Sequence, residues 1–118
     1  MDWKALLLTT LVVAGACSFD PGRDKELEAM ASERVEAEQV LAMHQFGQIV
    51  FQISSAPAFE MNNEQRTALA KEIARESLAM RKDVELVMVG FMRAEPSVKQ
   101  VAYSWENNNG TLKPVEAE

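Results

Sequence analysis

The sequence predicts a two-layer α+β sandwich, in which a helix precedes a β-α-β-β unit with room for a further short strand on a small mixed sheet. Three observations predict it. Gln48–Ser54 alternates apolar and polar residues, residues 63–81 repeat apolar positions at helical spacing, and residues 84–92 are apolar on both faces. Alternation marks a half-buried strand, a 3.6-residue repeat marks an amphipathic helix, and a two-sided apolar run marks a strand near the centre of a sheet. Strand, helix and strand in that order form a crossover with parallel strands, and the later strands add as an antiparallel hairpin.

The chain opens with a short polar start and the apolar run 5–16. A helix of about a dozen residues rises only about 18 Å, against roughly 30 Å of bilayer hydrocarbon. The run is therefore too short to span comfortably and matches the apolar centre of an export signal. It ends in Ala14, Gly15 and Ala16, and the only Cys of the chain, Cys17, follows at once. These residues resemble the bacterial lipoprotein signal, in which small residues precede a Cys that becomes the acylated first residue of the mature protein. The resemblance covers residues 1–17 and implies that Cys17 is the lipidation site. It also implies, with Ser18 in place of Asp after the Cys, sorting to the periplasmic face of the outer membrane. Ala14-Gly15-Ala16 also fits an ordinary A-x-A cleavage site, which leaves Cys17 a free thiol. A chain held at the inner or cytoplasmic membrane by an uncleaved signal is a further reading.

This divides the chain into a signal peptide, residues 1–16, an acylated Cys with its tether, 17–23, an acidic helical spacer, 24–44, and a small α+β domain, 45–118. The tether contains Pro21 and Gly22. Residues 24–44 lack Gly and Pro and are rich in Glu, Ala and Met, with Asp24, Glu26 and Glu28 where the helix dipole favours anions. Leu27, Met30, Ala31, Val35 and Leu41 form only a thin apolar stripe, which suits a solvated spacer or one packed on a partner. In the strand Gln48–Ser54, Ile49, Phe51 and Ile53 share one face. Residues 54–63 hold Pro57 and Asn62-Asn63 and are expected to be a loop, with Asn62 and Gln65 as a capping box for the helix 63–81. That helix lines Leu69, Ala70, Ile73, Ala74, Ser77 and Leu78 on one face.

In the strand 84–92, Val84, Leu86, Met88 and Met92 fall on one face and Val87, Val89 and Phe91 on the other. Residues 95–97 signal a turn. Residues 99–106 alternate again, with Val101, Tyr103 and Trp105 on one side. Residues 107–110, Asn-Asn-Asn-Gly, form a hairpin signal because these residues tolerate positive φ. A short last strand from Thr111 is confined to a sheet edge by Pro114. At roughly 80 residues the globular part holds a limited core, which a partner or a second copy would extend.

The composition restricts the chemistry. Of 118 residues, 18 are acidic and 12 basic, a formal net charge of −6. Nucleic-acid binding draws on Lys and Arg neutralising phosphates, so this balance argues against it. One Cys cannot form an internal disulfide, and the single His44 excludes a His-rich metal site. Met88 and Met92 on one strand face read as gap-filling core residues before copper ligands. Glu60, Glu64 and Glu85 have no spacing that brings two carboxylates together, so no catalytic residue, metal or cofactor is expected. Tyr103 and Trp105 either complete the core beneath a helix or form an aromatic patch on an uncovered sheet face that binds a partner. The expected function is a membrane-anchored, periplasm-facing binding or assembly module without catalysis. Its partners are the membrane, through lipid on Cys17, and another envelope protein or a second copy. The alternative is an envelope hydrolase or enzyme subunit using surface carboxylates.

Overall fold

The computed structural model describes residues 22–94 and 98–115. The apolar segment, Cys17 and the turn signal at 95–97 lie outside the described residues. The described chain runs through helix α1 (Lys25–Arg34), strands β1 (Gln39–Gln45) and β2 (Gln48–Ser54), and helices α2 (Ala56–Glu60) and α3 (Asn63–Met80). Strands β3 (Leu86–Arg93), β4 (Lys99–Asn108) and β5 (Thr111–Pro114) follow. It is the expected α+β class, with five strands ordered β1-β2-β3-β4-β5. β2 and β3 are parallel across the helical crossover, and every other neighbouring pair is antiparallel.

Register sorts the side chains into two faces. Ala42, Phe51, Val89 and Tyr103 stand in one cross-strand row, and Ile49, Val87 and Trp105 in another. Ile49, Phe51, Ile53, Val87, Val89 and Phe91 are fully buried there beneath Leu27 and Ala31 of α1 and Ala70, Ile73 and Ala74 of α3. The helix α3 begins as expected: Asn62 Oδ1 accepts from Gln65 N–H at 2.8 Å, and Gln65 Oε1 accepts from Asn62 N–H at 3.3 Å. Ser77 sits on its buried face and donates to Ile73 O at 2.8 Å, so its hydroxyl is satisfied inside the core.

The segment 24–44 departs from the expected spacer. Its helix stops at Arg34, Val35 is already extended, and Gln39–Gln45 is a strand paired residue for residue with β2. The composition favours helix and residues 40–43 are uniformly apolar, but pairing with the strong strand β2 next door overrides propensity. Nor is α1 a solvated rod, since Leu27 and Ala31 have no exposed surface and belong to the core. The domain therefore starts well before residue 45. The expected loop 54–63 also contains α2, capped by Ser55 Oγ, which accepts from Ala58 N–H at 3.1 Å.

Both sheet edges are blunted. The segment leading into α1 pairs with the outer edge of β1: His44 N–H donates to Gly22 O at 2.7 Å, and Asp24 N–H to Ala42 O at 2.9 Å. The far edge is the short β5, which ends at Pro114, as Pro requires of an edge strand.

Candidate functional site

Alternate residues of the same strands face away from the helices. Met43, Val50, Met88 and Ser104 form one cross-strand row there, and Leu41, Gln52, Gly90 and Ala102 the next. Gln39, Ser54, Met92 and Gln100 form a third, and Gln45, Gln48, Leu86, Glu106 and Lys113 a fourth. Leu41, Met43, Val50, Leu86, Met88 and Met92 are all partly exposed. None of them joins the buried core, so among the described residues no helix covers this face. Among the described residues the only charges in these rows are Glu106 and Lys113, which stand opposite each other on β4 and β5. In a chain of net charge −6 the face is thus close to neutral, with apolar side chains at its centre and glutamines around them.

Met88 and Met92 accordingly do not fill the core, as the sequence suggested; the wholly buried positions of β3 are Val87, Val89 and Phe91. Tyr103 and Trp105 lie on the helix-covered side. Trp105 is buried and its ring stacks on that of Tyr103, with centroids 6.4 Å apart. The Tyr103 hydroxyl donates to Asn63 Oδ1 at 2.8 Å and accepts from Arg66 Nε at 3.1 Å. Arg66 also donates to Phe59 O and Met61 O, each at 2.6 Å, which ties the corner between α2 and α3 to β4. These aromatics complete the core in this fold, and the uncovered face is built from other residues.

A second polar cluster fastens the incoming chain. Asp24 Oδ2 accepts from Arg81 Nε at 2.9 Å, and its Oδ1 accepts from Arg81 Nη2 at 3.0 Å and caps α1 through Leu27 N–H at 3.2 Å. His44 Nδ1 lies 3.5 Å from Oδ2. Burial alone raises the pKa of Asp24, but the Arg81 and Leu27 hydrogen bonds outweigh it and hold the carboxyl below its usual range. Glu28 is held down in the same way: burial opposes, while Arg23 at 2.8 and 2.9 Å and Ala42 N–H at 3.1 Å prevail. Asp24 and Glu26 in turn raise the pKa of Arg81. The cluster joins α1, β1 and the end of α3, and its carboxylates are engaged by cations and backbone N–H groups.

Glu60 and Glu64 sit at one end of the sheet and Glu85 at the other, where Glu85 N–H donates to Gly47 O at 2.7 Å. Among the described residues no group of three His, Cys, Asp or Glu side chains is placed to hold a metal ion. No described helix is long and apolar enough to cross a membrane. At the Glu60 end of the sheet is a depression lined by Ser54, Ser55, Met92 and Arg93. The Arg93 guanidinium stacks 5.0 Å from the centre of the Phe59 ring.

Sequence reasoning missed the uncovered face because β1 read as helix. The only local signal was Gly47 ahead of the alternating run Gln48–Ser54, because residues 40–43 are all apolar and Phe46 stands where a turn residue is usual. No protein-family profile, curated protein or solved structure gives a significant match to this chain.

Proposed function

We propose that this chain is a bacterial lipoprotein, acylated on Cys17 and held at the periplasmic face of the outer membrane. In this reading its folded domain binds another envelope protein and performs no chemistry of its own. The observation that carries the binding role is the uncovered sheet face, apolar at its centre and nearly free of charge in an acidic protein. Four strands at about 4.8 Å and seven residues at about 3.3 Å, with the short β5 at one edge, give a face of roughly 500 Å² per partner. That is the low end for a specific interface, which suits a weak or transient contact. A lipid anchor compensates by confining both partners to one surface, where the effective concentration is high. A cluster of several acyl chains holds stably where one myristoyl chain would not.

Radiolabelled palmitate is expected to enter the protein and to be lost in Cys17→Ala; unlabelled wild type would overturn the anchor. A photocrosslinking side chain at position 88 is expected to yield a discrete adduct in intact envelopes, while one at Glu72 on the outer side of α3 is not. No adduct at 88, or equal adducts at both positions, would overturn the binding face. The adduct mass separates a second copy from a different protein.

A further inference from the structure

We infer that Phe46 is a membrane-contact residue, placed by the β1–β2 turn so that its ring enters the interfacial layer of the bilayer that holds Cys17. The inference rests on acylation of Cys17.

Two features of Phe46 are locally unfavourable. Its side chain is 95% exposed, the most exposed of the large hydrophobic residues described. Its φ is +55°, and Gly47 follows at +75°. This is the backbone of a two-residue hairpin turn, which favours Asn, Asp or Gly at the first position because a bulky side chain is strained there. The same chain builds that turn conventionally elsewhere: Asn109 at +56° and Gly110 at +89° join β4 to β5. At Phe46 an aromatic stands where the other hairpin has Asn, and neither packing nor backbone preference within the domain accounts for it. A residue that breaks two local rules with no compensating contact points to a role outside the fold.

Its position supplies the occupant. Gly22 O accepts from His44 N–H at 2.7 Å, two residues before Phe46, so the chain arriving from Cys17 joins the domain beside this turn. Four residues lie between Cys17 and Gly22, and the five steps from one to the other reach at most about 18 Å. The opposite end of the sheet lies a further seven-residue strand away, about 23 Å. An acylated Cys17 therefore brings the Phe46 end of the domain closest to the lipid. Glu85 lies beside the turn, and Glu106 and Lys113 stand opposite each other at the same end of the sheet, a mixture of signs that gives no net attraction to anionic headgroups. The contact is apolar, and tethering makes even one ring effective because insertion becomes intramolecular.

The test uses the acylated protein in vesicles. With Cys17 blocked by its acyl groups, Phe46→Cys and Glu60→Cys each offer one thiol for an environment-sensitive fluorophore. Glu60 is exposed on α2 at the far end. At position 46 the emission is expected to shift to the blue, brighten several-fold and be quenched by spin-labelled lipid, equally in phosphatidylcholine vesicles and in vesicles containing phosphatidylglycerol. At position 60 none of this is expected. Palmitate incorporation with an aqueous signal at 46, or identical signals at 46 and 60, overturns the membrane contact alone. Absence of palmitate overturns the acylation reading and the contact with it.

Discussion

At the scale of single residues, Asp24 shows how little of a side chain's role is written beside it in the sequence. Its place ahead of an acid-rich helix marked it as a favourable charge at an N-terminus. Its principal partner, Arg81, is 57 positions away and no spacing rule connects them. The cap and the paired guanidinium together predict that Asp24→Ala lowers stability by about 2 kcal/mol. A pH dependence follows from the same geometry. Asp24 and Glu28 have folded pKa values below those of the unfolded chain, near 4. Their contribution is complete above that range and disappears as pH falls through the lower folded values. Asp24→Asn keeps a capping oxygen but has no charge to titrate, so its urea midpoint should drop less than that of the wild type between pH 7 and pH 3. Equal losses would show that the Arg81 pair carries no stability.

At the scale of elements, legibility followed local determination. The helix 63–81 carries its own start signal and a regular apolar stripe, and α3 begins at the residue the capping box indicated. The strand Gln48–Ser54 alternates cleanly and is β2 residue for residue. By contrast, β1 is composed of Gln, Val, Leu, Ala, Met and His, and becomes a strand only through its pairing with β2. The turn between them was hidden because Phe46 occupies a position where Asn is the usual sign. If that Phe strains the turn, Phe46→Asn should stabilise the domain by about 0.5–1 kcal/mol. Thermal melting of the substitution in a Cys17→Ala background, where no acyl chain intervenes, measures this directly. A lower melting temperature would mean that the ring contributes to the fold itself.

At the scale of the whole molecule, the described residues build a core on one side of the sheet only. The sequence showed β3 apolar on both faces, and its central place in the sheet follows from that. Alternation cannot show whether a second layer exists to cover each face, because that depends on how many helices the chain supplies and where they cross. The helices α1, α2 and α3 and the buried side chains of the strands form a single cluster. The two faces of β3 should therefore respond in opposite ways to substitution. Phe91→Ala removes a fully buried ring and should cost about 3–5 kcal/mol, a large part of the stability of a domain this small. Met88→Gln, three positions earlier on the other face, exchanges a partly exposed side chain for one of similar length on a face that already presents Gln48 and Gln52. Its cost should stay within about 0.5 kcal/mol, as for an ordinary surface change. If Met88→Gln nevertheless abolishes the crosslinked adduct while denaturant unfolding is unchanged, the apolar character of the face is maintained for binding. A stability loss comparable to that of Phe91→Ala would instead place Met88 in a second core and remove the uncovered face from consideration.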